Sequence, residues 1–199
     1  MKKRIQLALL FGLISAILLS MSQFNVLCED FRHNILRLHI VANSDSTADQ
    51  ELKLKIRDEI LAGTSDLFLN VTDLETAKTE VENSLEEFEK IANSVIKQNG
   101  FNYTAKAYLD EHYFDTRVYD NFTLPAGYYP SLVIKLGKAE GKNWWCVVFP
   151  TVCIPAAAKG DLTDSVNEKS ANIAKQSSQY VMRFKTVEIY EKIKNFIKQ

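Results

Sequence analysis

The spacing of apolar residues switches between two periods along this chain, and these switches limit the folds it can adopt. Between Thr47 and Gly100 the apolar positions recur every three or four residues, as they do on one face of an α-helix. From Phe101 to Leu109 they recur every second residue, as they do along a β-strand, and residues 35–42 alternate in the same way. The order of strand, helices, strands and helix predicts an α+β fold with a helix layer on one face of a sheet.

Capping residues and helix-breaking residues indicate where the helices begin and end. One is predicted to begin near Thr47 and end at Gly63, and the next to run unbroken from Leu74 to Asn99-Gly100. Residues 156–176 show no clear period and predict loop with patchy helix, and a last helix is expected from about Ser178.

Two apolar runs predict antiparallel neighbours late in the chain. They are Tyr129–Leu136 and Trp144–Phe149, and the turn at residues 137–141 has glycine at both ends. Such glycines in a short loop between apolar runs are typical of a hairpin, which we therefore predict.

Residues 1–27 are predicted to direct export and to lie outside the fold. Three basic residues precede the uncharged run Ile5–Met21, which is typical of a signal peptide or an N-terminal membrane anchor, a buried core helix being the third interpretation. As a helix this run would span about 26 Å, slightly less than a hydrocarbon core of ~30 Å. Residues 28–199 are then one exported domain, and only residues 5–21 are expected to contact membrane. The removal of the leader and the role of Cys28 stay open.

Charge excludes one class of partner. The chain has 24 Lys and Arg against 25 Asp and Glu, for a net charge of −1. A nucleic-acid binder needs a clustered basic surface, so none is expected here.

The densest polar cluster follows the first predicted strand. It contains His39, Asn43, Ser44, Asp45 and Asp49. Four interpretations remain open: an incomplete divalent-metal site, a general base at His39, a protein-recognition surface, and plain capping and turn chemistry. Because the spacing matches no metal motif with known mechanics, we predict neither a metal nor another cofactor.

The second cluster contains two cysteines. In an exported domain, a disulfide between Cys146 and Cys153 around Pro150 is the favoured prediction. The alternatives are two buried thiols, or a nucleophilic Cys146 activated by His39 or His112.

Two adjacent tryptophans precede these cysteines. Because Trp144 and Trp145 are neighbours in a predicted strand, they should face opposite sides of the sheet. One is expected in the core, while the other covers a helix or serves as an anchor for a protein partner. Asn143 lies beside them and is a further candidate for partner binding.

The two clusters carry a resemblance to a known family. The segments are RLHIVANSDSTADQELKLKIRDEIL (residues 37–61) and LPAGYYPSLVIKLGKAEGKNWWCVVFPTVC (residues 124–153). Their sequence, order and spacing, together with the upstream export segment, resemble the stage II sporulation protein R family.

This resemblance implies a role in endospore formation. Such proteins are made in the forespore and exported into the space between the two septal membranes. There they trigger a membrane-embedded aspartic protease of the mother cell, which cuts the inactive precursor of sigma factor E, and no catalysis of their own is expected. The rival interpretations are a secreted cysteine- or metal-dependent cell-wall hydrolase, and a structural septal protein anchored by residues 5–21. The candidate partner-binding residues are His39, Asn43, Asp45, Asp49, Asn143, Trp144 and Trp145.

Overall fold

The chain packs into two compact units, each assembled from separate segments. The computed structural model describes residues 2–68, 71–119, 122–150, 168–175 and 177–198. Residues 32–113 and 128–167 form the sheet unit, and residues 1–31, 114–127 and 168–199 form the helical unit. The predicted division into residues 1–27 and an exported domain of residues 28–199 stays a prediction.

Helices and strands alternate in blocks along the described residues. They are α1 (Lys2–Asn34), β1 (Leu36–Val41), α2 (Thr47–Leu67), α3 (Leu74–Asn83), α4 (Leu85–Gln98), β2 (Ala105–Phe114), β3 (Arg117–Val118), β4 (Thr123–Leu124), β5 (Gly127–Leu136), β6 (Asn143–Phe149), α5 (Glu168–Lys175) and α6 (Ser177–Lys198).

The sheet unit is built on a mixed four-stranded sheet. The strand order is β2-β5-β1-β6, with β1 parallel to β5 and antiparallel to β6. The predicted hairpin is therefore wrong, because β1 lies between the two strands that were expected to pair. All six residues of β1 are buried, which suits a central strand covered on both faces. The loop between β5 and β6 needs to cross only two strand spacings, or about 10 Å, to reach the far side of β1.

Three helices cover one face of this sheet, as predicted, and the α+β class is confirmed. Their apolar faces share a core with alternate residues of the strands. Representative members are Ile56 of α2, Val81 of α3, Ala92 of α4 and Leu38 of β1, each with no exposed surface. The remaining side chains of β1, such as Arg37 and His39, lie on the second face of the sheet, opposite the helices.

Gly63 does not end α2, contrary to prediction, and the helix continues to Leu67. A Cβ placed at Gly63 would lie 3.2 Å from the Cδ1 atom of Ile91 on α4. The missing side chain therefore serves the close approach of two helices rather than a helix stop.

The long helix predicted from Leu74 is interrupted, because α3 ends at Asn83 and α4 begins at Leu85. The N–H group of Ser84 donates to the carbonyl of Val81 at 3.1 Å, which closes a tighter turn. Asn and Ser at this point offer the backbone alternative hydrogen bonds, which weakens a helix interior. Strand β2 also begins later than predicted, at Ala105 instead of Phe101.

The helical unit contains α1, α5, α6 and the short β3–β4 pair. The predicted N-terminal helix is confirmed, but it extends to Asn34. Beyond its exposed first half, Phe24 and Cys28 are buried and share a small core with Phe184 and Val187 of α6. Among the described residues, no helix combines the length and apolarity needed to cross a bilayer.

Candidate functional site

The structure separates the predicted site residues into two groups within the sheet unit. Asn43, Asp45 and Asp49 lie at the junction of β1 and α2, which we call the corner. His39, Asn143 and Trp145 lie together on the second face of the sheet, opposite the helices.

Asp49 is the centre of the corner and is only 4% exposed. Its carboxylate accepts hydrogen bonds from the Asn43 amide at 2.9 Å, from the Ser44 hydroxyl, and from the Tyr103 hydroxyl at 2.6 Å. Its backbone N–H group donates to the Ser46 hydroxyl at 3.2 Å, which caps α2 at its predicted start near Thr47. This one carboxylate therefore ties the helix start to the segment that precedes β2.

Hydrogen bonding decides the charge state of the corner. Burial by itself would raise the pKa of Asp49, but hydrogen bonds from Ser44, Tyr103 and Asn43 outweigh it and hold that pKa below its usual value. Burial and the neighbouring carboxylate raise the pKa of Tyr103. At neutral pH, Asp49 is therefore an anion and Tyr103 is a neutral donor.

The loop between β5 and β6 closes on the corner. The N–H group of Lys138 donates to the Asn43 side-chain oxygen at 3.0 Å, and that of Lys142 donates to the Asp45 carboxylate at 2.7 Å. The polar side chains of the corner are therefore engaged in capping and loop closure, as one of the four interpretations requires. Their predicted role in partner binding stays a prediction.

His39 occupies an aromatic environment on the second face. Its ring stacks on Trp145 with centroids 3.8 Å apart and meets His112 edge-on at 4.8 Å. Its Nε2 atom lies 3.1 Å from the side-chain oxygen of Asn143. An amide oxygen can only accept a hydrogen bond, so this contact requires a proton on Nε2.

Burial, opposed by the hydrogen bond to Asn143 and assisted by the nearby charges of His112, Lys135 and Arg37, lowers the pKa of His39 to about 4. The imidazole is therefore neutral at physiological pH. A general base works best with a pKa near the operating pH, so this environment gives no support to the general-base interpretation.

The partly exposed residues around His39 form what we call the aromatic patch. It consists of Tyr108, His112, Lys135, Asn143 and Trp145, which are exposed or half-buried. The Lys135 ammonium lies 5.2 Å from the centre of the Tyr108 ring. Aromatic and cationic side chains on a rigid, partly exposed face are typical of protein-binding surfaces.

The two tryptophans face opposite sides of the sheet, as predicted. In the antiparallel register, Trp145 pairs with His39 and Trp144 pairs with Ile40. Trp144 packs against the core on the helix face, where the Arg57 guanidinium lies 4.5 Å from its ring centre. Trp145 is therefore the better candidate for a partner contact.

Cys146 lies on the helix face of β6. It pairs with Leu38, is 5% exposed and belongs to the apolar core. His39 projects from the opposite face, so the sheet separates the Cys146 sulfur from the imidazole. Cys153 lies outside the described residues, and the predicted disulfide between the two cysteines stays a prediction.

Several residues of both groups were not predicted from the sequence. Tyr103 donates to Asp49 from far along the chain, and Tyr108 and Lys135 join the aromatic patch. The alternation of β2 could have placed Tyr108 opposite Ala105, and Lys135 stands out as a charge in an apolar strand. Across the described residues, no group of three or more His, Cys, Asp or Glu side chains could hold a metal ion.

Comparisons with known proteins match the part of the chain that contains both the corner and the aromatic patch. A model of the family described as stage II sporulation protein R matches residues 32–159. The protein named stage II sporulation protein R from Bacillus subtilis (strain 168) is 35% identical over 137 residues, or 69% of this chain and 61% of that protein. The chain thus matches less than two thirds of that relative's length, and no solved structure matches. Since the family model covers more than half of the chain, the chain belongs to the stage II sporulation protein R family.

Proposed function

We propose that this protein is an exported signal of endospore formation that triggers a membrane-embedded aspartic protease. The protease then processes the inactive precursor of sigma factor E. Membership of the stage II sporulation protein R family carries the proposal, together with the predicted export segment at residues 5–21. We place the protein in the space between the forespore and mother-cell membranes, where the protease would be its partner.

The aromatic patch suits a protein that acts by contact. A ligand needs a rigid scaffold with a distinctive surface, and this patch is carried by the strands of one sheet. Trp145 and Tyr108 belong to the residue types that dominate binding energy at interfaces. We infer that the patch contacts the protease and that the corner fixes the loop leading into β6.

The geometry gives little support to the rival cysteine hydrolase. That mechanism needs a thiolate within hydrogen-bond reach of a base. Cys146 is in the apolar core, whereas His39 and Asn143 lie on the other face of the sheet. We therefore propose that the protein has no catalytic activity of its own.

The test is co-expression of the full chain, the candidate protease and the precursor in a host that does not sporulate. We expect an immunoblot to show cleaved precursor only when the chain and the protease are both present. Cleavage by the protease alone, or by the chain alone, would contradict the proposal. A chain with a strongly cleavable leader should remain active, whereas a structural septal protein would require its anchor.

Matched charge reversals test the role of the aromatic patch in the same assay. Lys135 is exposed on this patch, and Lys90 is exposed on α4 in the helix layer. We expect Lys135→Glu to reduce precursor cleavage by about tenfold or more, as for a residue at an interface centre, and Lys90→Glu to leave it unchanged. Equal cleavage with both variants would exclude the patch as the contact surface.

A further inference from the structure

Lys135 carries an exposed positive charge within the aromatic patch. It is one of two exposed residues in β5, whose other residues are buried. Its ammonium lies 5.2 Å from the centre of the Tyr108 ring. Among the described residues, no carboxylate forms an ion pair with Lys135. The patch therefore holds a cation that is placed on an aromatic ring and is not neutralised by a carboxylate of the described chain.

The carboxylates of the neighbouring elements are engaged with other groups. Asp110 of β2 lies 3.7 Å from the Nδ1 atom of His112. Glu89 of α4 lies 3.3 Å from the Lys106 ammonium. Neither of these ion pairs includes Lys135, so both leave its charge in place.

The loop that follows β5 holds further charges at this end of the sheet. Lys138, Glu140 and Lys142 are exposed there. The Asp45 carboxylate, which accepts the N–H group of Lys142 at 2.7 Å, lies against the same loop. These two cations and two carboxylates balance one another, so Lys135 is the charge in excess.

The electrostatic field inside the patch has the same sign. The three groups whose charges shift the pKa of His39 are all basic, namely His112, Lys135 and Arg37, and each of them lowers it. A surface with this sign attracts acidic partners and repels basic ones.

Asn143 adds a hydrogen-bond donor beside this cation. Lys135 and Asn143 pair with Val41 from opposite sides, so their backbones are two strand spacings, or about 10 Å, apart. The side-chain oxygen of Asn143 accepts the proton on the Nε2 atom of His39 at 3.1 Å, which leaves the exposed amide N–H groups as donors for a partner. One partner segment can therefore meet both residues.

We propose that the protease contacts the patch through an acidic segment, in which one carboxylate pairs with Lys135 and a nearby acceptor binds the Asn143 amide. This pairing rests on the proposed function and names the chemistry of the partner at the same surface. Charge complementarity favours such a segment over a second copy of this chain, because two patches face to face would bring the Lys135 ammonium groups together.

Zero-length crosslinking tests the pairing in the full chain. A water-soluble carbodiimide joins an ammonium to a carboxylate that touches it, and mass spectrometry identifies the joined residues. With the protease in vesicles, we expect Lys135 to be joined to an Asp or Glu of the protease. The yield at Lys90, which is exposed on α4, should be at least about tenfold lower. A crosslink from Lys135 to a second copy, or none at Lys135, would overturn the pairing.

The precursor-cleavage assay on the same samples separates this pairing from the proposed function. If the chain raises cleavage but Lys135 is not joined to the protease, the pairing alone is wrong. If the chain forms no crosslink and does not raise cleavage, the proposed function fails together with the pairing.

Asn143→Asp tests the second contact. This variant keeps an oxygen that accepts from His39 but replaces the amide donor with a negative charge. We expect it to reduce the yield of the Lys135 crosslink to the protease by about tenfold, because it repels an acidic segment. Gln98→Glu makes the same change of amide to carboxylate at an exposed position of α4 and should leave the yield unchanged. Equal yields with both variants, with circular dichroism showing intact helices, would refute the role of Asn143.

Discussion

Replacement of Asp49 by alanine should destabilise the sheet unit more than any other change at the corner. The variant leaves the Asn43 amide, the Ser44 hydroxyl and the Tyr103 hydroxyl without their common acceptor. An unsatisfied buried donor costs about 1–3 kcal/mol, and these donors are half-buried, so we expect a total loss of about 3–4 kcal/mol. That is a large share of a typical stability of about 5–15 kcal/mol.

Urea unfolding of the full chain, followed by tryptophan fluorescence, measures this loss. The matched control is Tyr103→Phe, which removes one of the three donors and should cost about 1–2 kcal/mol. If Asp49→Ala costs less than about 1 kcal/mol, or no more than Tyr103→Phe, Asp49 is not the centre of the corner.

The pH dependence of the same measurement checks the charge of Asp49. Because folding lowers the pKa of this carboxyl group, its stabilisation is present above the unfolded pKa of about 3.9 and is lost as pH falls through the lower folded value. The difference between wild type and Asp49→Ala should therefore be constant above about pH 5 and shrink below about pH 4. A difference that persists undiminished at pH 2 would contradict this reasoning.

Two further changes test the second face and the loop. Folding lowers the pKa of His39 to about 4, so wild type should lose about 3 kcal/mol as pH falls from about 6.5 to 4. His39→Gln should abolish most of that loss in urea unfolding, while His33→Gln, at an exposed position, should retain it. A Cβ at Gly141 would lie 2.3 Å from the backbone oxygen of Ser44, so Gly141→Ala should destabilise the protein by at least about 2 kcal/mol. The control is Gly100→Ala, where an added Cβ would meet no atom within 4 Å. Gly100 has a φ of +78°, so backbone strain alone should cost about 1 kcal/mol there. Equal losses for the two variants in thermal unfolding would refute the close-contact account.

The sequence predicts local structure well because hydrophobic period is a local property. It indicates the helix layer, the positions of β1, β5 and β6, and the opposite orientation of Trp144 and Trp145. Strand pairing depends on contacts between distant segments, and no local pattern shows that β1 lies between β5 and β6. The burial of β1 on both faces has one local signal, which is that six of the eight residues 35–42 are apolar.

The candidate site likewise has residues that local sequence predicts and residues that only the fold brings together. Asn43, Asp45 and Asp49 lie within seven positions of one another, so the sequence alone identifies the corner. Tyr103 reaches Asp49 only through the fold, because the two residues are separated by 54 positions. The sequence suggests Gly63 as a helix stop, but its close approach to Ile91 is a tertiary effect that overrides the local preference.

Reconstitution of the protease and its precursor in vesicles tests most directly whether this protein acts by contact. The measured quantity is the rate of precursor cleavage as purified full chain is added. We predict no cleavage without the chain, a rate that rises and saturates as the protease is occupied, and no cleavage when the protease is omitted. Cleavage of the precursor by the chain alone, or a protease whose rate is the same with and without the chain, would contradict the account.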